Sequence, residues 1–148
     1  MAAVGTVRIY RPDPATANEL QRCGRATFTV RPMSSSRAAV AVVGEIDAAN
    51  GRALGHYVER HTGISRQLVL DLRAVDFVGT QAFTALHYIS VHCARADVDW
   101  TILGSPPLQR LLKICDPDSE LPLADDLAVG LARLDRLAQC RHSIASAV

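Results

Sequence analysis

The residues that could support catalysis or metal binding do not occur in the spacings that such sites use. The two neighbouring histidine pairs, His56 with His61 and His87 with His92, are five positions apart, so neither stacks on one helix face as two metal ligands would. No Gly-x-Ser-x-Gly motif marks a nucleophilic serine, and the glycines are too dispersed for a phosphate-binding loop. The sequence therefore predicts no metal site, no cofactor and no enzymatic activity.

The four cysteines, Cys23, Cys93, Cys115 and Cys140, are scattered and form no Cys-x-x-Cys motif, which favours reduced thiols. Cys93 and Cys115 fall on the inward stripes of two predicted helices, where cysteine commonly serves as a small hydrophobic residue. Burial is the favoured interpretation of both, and a redox role is the alternative.

Thr80 offers a different chemistry, because it follows a hydrophobic run and stands where a helical pattern begins. A threonine at this point can act as a helix N-cap, whose hydroxyl accepts a hydrogen bond from a first-turn amide. The amides and positive dipole end of the helix can equally stabilise a phosphate. Thr80 is therefore both a predicted N-cap and a candidate phosphoacceptor.

The helix that follows Thr80 has a predicted core stripe and a predicted exposed stripe. The core stripe consists of Ala82, Phe83, Leu86, Ile89, Ser90 and Cys93. The exposed stripe consists of Thr80, Thr84, His87 and Val91, with Tyr88 at its border. Exposed aromatic and apolar groups are typical of the centre of protein interfaces. In the alternative interpretation, an N-terminal extension or the last helix covers Tyr88 and Val91.

The surrounding elements alternate between strands and helices. Strands are predicted over 25–32, 37–47, 66–78, 98–104 and 122–126, and helices over 48–63, 80–97, 105–115 and 127–140. Gly63 is expected to cap the first helix and Ser105 to begin the third. The opening hairpin and this alternation predict an α/β domain with a mixed, mostly parallel β-sheet of four to five strands and about four α-helices.

Length and composition bound the remaining possibilities. The chain has 148 residues, 49% of them hydrophobic, which predicts a single folded domain over 26–138 between a weakly ordered N-terminal extension, 1–25, and a C-terminal tail, 139–148. A formal net charge of +1 without a Lys/Arg block argues against nucleic-acid binding. Neither a secretory signal nor a long apolar run is evident, so we expect a cytoplasmic protein that does not interact with membranes.

Three segments, taken in order, resemble the STAS domain of anti-sigma factor antagonists. They are VVGEID at 42–47, LVLDLRAVDFVGTQAFTAL at 68–86 and WTILGSPPLQRLLKIC at 100–115. The similarity covers about residues 26–138 and implies a STAS-like fold. No single motif is decisive, whereas the order of the three is fairly specific.

In such domains one strand ends in Gly-Glu-Leu/Ile-Asp, and a later loop reads Asp-Phe-x-Asp-Ser-Ser/Thr-Gly, with its first serine phosphorylated by a kinase-like anti-sigma factor. Glu45 and Asp47 match the strand end, Asp76 matches the start of the loop, and Thr80 lies where that serine would be. The resemblance implies that the unphosphorylated protein binds the anti-sigma factor, frees a sigma factor for transcription, and is switched off by phosphorylation.

The loop departs from the family pattern at three positions. Gly79 replaces the acidic residue, Gln81 the second hydroxyl residue and Ala82 the glycine. These changes motivate an alternative, a sensory or scaffolding STAS domain that binds a small ligand or nucleotide without phosphoregulation. The predicted partner-binding surface comprises Glu45, Asp47, Asp76, Gly79, Thr80, Gln81, Thr84, His87, Tyr88 and Val91.

Overall fold

The computed structural model describes residues 20–63 and 65–147 of the chain. Within these ranges the strands are β1 (Gln21–Cys23), β2 (Ala26–Pro32), β3 (Arg37–Ile46), β4 (Gln67–Val78), β5 (Asp99–Leu103) and β6 (Leu123–Ala124). The helices are α1 (Gly51–His61), α2 (Gln81–Ala96), α3 (Pro106–Cys115) and α4 (Leu127–Ala147).

The strands form one sheet in the order β1-β2-β3-β4-β5-β6. The hairpin strands β1, β2 and β3 pair antiparallel, whereas the pairs β3–β4, β4–β5 and β5–β6 are parallel. The predicted mixed, mostly parallel sheet is thus confirmed, and so are four helices. The helices are needed because a parallel pair requires a crossover between its strands.

Alternate residues along the central strands point to opposite faces of the sheet, and each face has its own core. Val40 and Leu70 belong to the larger cluster, which α1, α2 and α3 cover. Ala39 and Val69, their neighbours in sequence, belong to a smaller cluster under α4 that includes Leu134. Burial on both faces explains why these strands read as continuous apolar runs.

The elements differ from the prediction in three places. The sheet has six strands rather than four to five, because β1 adds a short edge strand inside the segment expected to be weakly ordered. Helix α4 runs to Ala147, through the residues expected to form a tail. Helix α1 ends at His61, and the side-chain hydroxyl of Thr62, rather than a left-handed Gly63, satisfies a last-turn carbonyl by donating to the Val58 oxygen over 2.6 Å. Residues 1–19 of the predicted extension lie outside the described residues.

Candidate partner-docking site

The candidate site lies at the edge of the sheet where β3 and β4 end together. Glu45 is in register with Phe77, and Ile46 with Val78. The Gly79 amide then donates to the Ile46 carbonyl over 2.8 Å, which continues the pairing by one residue. This contact fixes the start of α2 beside the loop that leaves β3. The strand end with Glu45 and Asp47 therefore lies next to the loop with Asp76 and Thr80.

The loop after β3 is held by Asn50, a fully buried residue that the sequence analysis did not single out. Its amide nitrogen donates to the carbonyl oxygens of Glu45 at 2.8 Å and Cys23 at 3.1 Å, and its amide oxygen accepts from the Asp47 amide at 3.0 Å. The Asp47 carboxylate accepts from the Ala49 amide at 2.9 Å. A polar residue three positions after an aspartate at a strand end was the available sequence signal for such a loop.

Thr80 is exposed at the start of α2. It occupies the N-cap position, yet its side chain makes no capping hydrogen bond, so the prediction of a capping hydroxyl is wrong. Its backbone is already helical, with φ −62° and ψ −22°, whereas capping residues usually have extended angles. The Thr80 side chain therefore makes no capping hydrogen bond to the helix, and the residue is exposed.

The predicted N-cap residue Ser105 also lacks a capping hydrogen bond. Its backbone is extended as a cap requires, but its side chain makes no capping bond. Prolines follow at positions 106 and 107, and proline has no amide hydrogen to donate. The buried Ser105 hydroxyl has no hydrogen-bond partner among the described residues.

Helix α2 presents its two stripes as the periodicity predicts. Ala82, Leu86, Ile89 and Cys93 are buried, whereas Phe83 and Ser90 are half-buried. The outer residues are all exposed: Thr80, Thr84, His87, Tyr88 and Val91. Among the other residues predicted for the partner surface, Asp76 and Gln81 are exposed, and Glu45, Asp47 and Gly79 are half-buried. These ten residues lie at one edge of the sheet and along one helix.

A groove of about 530 Å³ separates α1 from α2 next to this edge. Its lining comprises Ala48, Gly51, Arg52, Gly55, His56, Gln81, Thr84, Ala85 and Tyr88. The Tyr88 ring lies directly on Gly55, where an added Cβ would come within 2.8 Å of the ring. Tyr88 and Gln81 therefore face α1. The residues that α1 contributes to this groove were not predicted, because helical periodicity indicates the exposed face of one helix and not which helix lies beside it.

Tyr88 also belongs to a polar network between the two helices. Its hydroxyl donates to the Glu59 carboxylate over 2.6 Å, and this hydrogen bond raises the pKa of Tyr88 above its usual value. The other Glu59 oxygen lies 4.0 Å from Nδ1 of His92, and Nε2 of His92 lies 3.1 Å from the Thr62 hydroxyl. Glu59, Tyr88 and His92, together with Val91, border a second, smaller hollow of about 270 Å³.

The two cysteines considered for redox chemistry lie in different environments. Cys93 is buried, and its burial raises the pKa of the thiol to about 12. Cys115 is half-buried at the end of α3. Low pKa and exposure are what make a thiol reactive, and Cys93 has neither.

The described residues contain no group of three or more histidine, cysteine, aspartate or glutamate side chains that could hold a metal ion. Across the same residues, none of the helices combines the length and apolar character that crossing a bilayer requires.

Comparison with known proteins decides the family. The family model described as "STAS domain" matches residues 34–129, well over half of the chain. The chain belongs to the STAS domain family. A search among curated proteins found no sequence that matches this STAS domain.

Solved structures share the fold of this STAS domain at low sequence identity. One is an anti-sigma factor antagonist from Mycobacterium paratuberculosis, with a TM-score of 0.56 and 23% identity over 73% of this chain and 92% of the other. Another is the anti-sigma factor antagonist SpoIIAA in its unphosphorylated form, with a TM-score of 0.58 and 9% identity over 76% and 96%. A third is RsbS of Moorella thermoacetica carrying a serine-to-glutamate substitution, with a TM-score of 0.61 and 20% identity over 76% and 97%. The predicted STAS-like α/β fold is confirmed.

Proposed function

We propose that this STAS domain is an anti-sigma factor antagonist, which binds a kinase-like anti-sigma factor and so releases a sigma factor for transcription. The observation that carries the proposal is the exposed Thr80 hydroxyl at the tip of α2, held beside the end of β3 by the hydrogen bond from Gly79 to Ile46. A partner that reaches this hydroxyl must also touch the loop containing Asp47.

Two similarities support the role. Two of the structural neighbours are described as anti-sigma factor antagonists, one of them in an unphosphorylated form, and a third carries a glutamate in place of a serine. The residues that we propose to contact the partner lie at the ends of β3 and β4 and along α2, and all are exposed or half-buried: Glu45, Asp47, Asp76, Gly79, Thr80, Gln81, Thr84, His87, Tyr88 and Val91. Hydroxyl, aromatic and apolar groups in one exposed patch suit a protein interface.

Phosphorylation of Thr80 is the proposed switch. A phosphate carries about two negative charges near neutral pH, and the positive end of the α2 dipole favours such a charge at this position. The added charge and bulk would then meet the partner at the centre of the contact. The β-methyl group of threonine restricts its side-chain rotamer, so we expect phosphate transfer that is slower than to serine.

The test uses the kinase-like anti-sigma factors encoded in the source genome, purified and titrated with the wild-type protein by calorimetry. We expect one of them to bind wild type and to bind Thr80→Glu at least tenfold more weakly. The same pair incubated with ATP should add one phosphate to wild type and none to Thr80→Val, as read by intact mass. Ser35→Glu is the matched control, since Ser35 is exposed in the turn between β2 and β3 at the opposite end of β3.

Each outcome has a defined meaning for this proposal. If none of these anti-sigma factors binds wild type, the antagonist role is wrong. Binding that Thr80→Glu leaves unchanged would retain the role but remove the Thr80 switch. Loss of binding in both Thr80→Glu and Ser35→Glu would indicate damage to the fold rather than to a specific contact.

A second candidate function is a sensory STAS domain that binds a small ligand or nucleotide. The groove between α1 and α2 favours it, because its volume of about 530 Å³ lies in the range of small-molecule sites. A thermal shift panel of nucleotides and metabolites tests it. A ligand at 100 times its dissociation constant stabilises by about 2.7 kcal/mol, which is readily detected.

A further inference from the structure

The groove between α1 and α2 carries a positive charge that is not neutralised within the described chain. Arg52 is exposed on the groove wall, and the ion pairs of the described residues do not include it. His56, one helical turn further on, is also exposed and stands edge-on to the Tyr88 ring at 5.6 Å between centroids. None of the nine lining residues is acidic, and the nearby Glu59 carboxylate is already hydrogen-bonded to the Tyr88 hydroxyl, which leaves the Arg52 guanidinium as the charged group of the lining.

The floor of the groove is apolar and made of small residues. Gly51, Gly55 and Ala85 are buried, and the Tyr88 ring closes one side. Gly51 packs so closely on α2 that an added Cβ would lie 3.2 Å from the Gln81 carbonyl oxygen. Gly51 and Gly55 thus let α2 pack closely on α1, and the space open to another molecule is the groove of about 530 Å³ beside them. An apolar group can lie in this groove with the Arg52 cation at its side.

A phosphate suits this groove less well than a carboxylate. Phosphate sites usually provide several N–H donors for a charge of about two. The groove provides one guanidinium and one imidazole above an apolar floor. A carboxylate carries a single charge and pairs well with one arginine, and a protein side chain or its neighbour can supply the apolar group.

We propose that the groove is the docking site for an acidic segment of the protein partner, in which an aspartate or glutamate pairs with Arg52 and an adjacent apolar side chain lies in the groove that Gly51, Gly55 and Ala85 help to line. This inference rests on the proposed function, because the groove shares Gln81, Thr84 and Tyr88 with the proposed partner surface. It adds the partner's chemistry and three residues of α1, Gly51, Arg52 and Gly55, to that surface.

The first test measures Arg52→Glu against the anti-sigma factor that binds the wild-type protein. We expect at least a tenfold loss of affinity, and recovery when one acidic residue of the partner's docking segment is changed to arginine. Arg136→Glu is the matched control, since Arg136 is exposed on α4, on the other face of the sheet, and the charge change is identical. That variant should bind within twofold of wild type.

The second test does not need the partner, which separates failure of this inference from failure of the proposed function. In the wild-type protein, 3-phenylpropionate should shift the Gly51 and Gly55 amide resonances, whereas 3-phenylpropanamide should not, and Arg52→Glu should abolish the shift. Equal shifts with both compounds, or stronger shifts with inorganic phosphate, would overturn the carboxylate site. An unchanged affinity of Arg52→Glu for a partner that binds wild type would overturn the docking groove while leaving the proposed function intact.

Discussion

At the scale of single residues, the hydrogen-bond network between α1 and α2 fixes the tautomer of His92. The Thr62 hydroxyl has one hydrogen and donates it to the Val58 carbonyl over 2.6 Å. It must therefore accept the hydrogen of the contact with His92, whose Nε2 lies 3.1 Å away. Neutral His92 should consequently carry its hydrogen on Nε2.

Long-range ¹H–¹⁵N correlation spectra at about pH 9, where histidines are neutral, test this prediction. We expect Nε2 of His92 to show the shift of a protonated ring nitrogen and Nδ1 that of an unprotonated one. In Thr62→Val the acceptor is lost and the two tautomers should mix. A hydrogen on Nδ1 in the wild-type protein would contradict the geometry of the network.

The cysteines give a second prediction at this scale, because their exposures differ. Cys140 is exposed, Cys23 and Cys115 are half-buried, and Cys93 is buried with a thiol pKa raised to about 12. Burial therefore keeps Cys93 protonated near neutral pH, and the thiolate is the reactive form. Iodoacetamide should therefore modify Cys140 first, then the half-buried pair, and Cys93 only after unfolding.

Mass spectrometry of labelled peptides, with denatured protein as the reference for complete labelling, measures the order of reaction. Fast labelling of Cys93 in the folded protein would contradict its burial and would restore it as a redox candidate.

The residue roles were only partly predictable from the sequence. Exposure of Thr80 and His87 follows from helical periodicity, which fixes the face of a residue. The free hydroxyl of Thr80 and the central place of Asn50 do not follow, since they depend on backbone angles and on contacts with Glu45 and Cys23. A local pattern can indicate the loop that contains Asn50, but it does not show which distant carbonyl oxygens the Asn50 side chain contacts.

At the scale of elements, Gly44 shapes the end of β3 that presents Glu45 and Asp47. Its φ of +113° is unfavourable for other residues, and an added Cβ would lie 2.1 Å from the Arg25 carbonyl oxygen. That carbonyl already accepts the Glu45 amide at 3.0 Å, so it cannot move without loss of this bond. Backbone strain of about 1–3 kcal/mol and overpacking of similar size should add at this position.

We therefore expect Gly44→Ala to lower the free energy of unfolding by about 2–6 kcal/mol, as measured by urea denaturation. Gly63→Ala is the control, because Gly63 lacks a positive φ and its Cβ would meet no atom of the described chain within 4 Å. Its effect should stay within about 0.5 kcal/mol of wild type. Similar losses in both variants would show that the constraint at Gly44 is not specific.

The long helices and strands were predictable because the hydrophobic residues of each recur with a clear helical or strand period. The short strand β1 was not predictable. Three residues are too few to show an alternation, and Gln21–Cys23 form a strand because they pair with Ala26–Phe28 across a tight turn. The end of α4 was missed for a related reason. Residues 141–147 show little amphipathic pattern, and the long-range contacts of Arg141 with Asp97 and Asp99 are not visible in a local pattern.

At the scale of the whole molecule, one arginine ties the last turns of α4 to the far side of the sheet. Arg141 donates to both oxygens of Asp99, at 2.8 and 2.9 Å, and to Asp97 at 2.9 Å. Asp99 begins β5 and Asp97 ends α2, so a single side chain joins three elements. This bidentate geometry is the strongest form of an arginine–carboxylate pair.

The stabilisation that Arg141 gives through Asp97 and Asp99 should decrease as the pH falls. The hydrogen bond and positive charge of Arg141 lower the pKa of Asp97 below its usual value. The contribution is therefore complete above an ordinary aspartate pKa of about 4 and is lost as the pH falls through the lowered value.

We expect Arg141→Ala to reduce the hydrogen-exchange protection of α4 beyond Leu137 at about pH 6 several-fold, and wild type to approach the variant near pH 2. Arg136→Ala, which removes an exposed arginine of the same helix, should retain wild-type protection at both pH values. Equal protection in Arg141→Ala and wild type at pH 6 would show that packing of Leu134 and Leu137, and not this tie, orders the end of the helix.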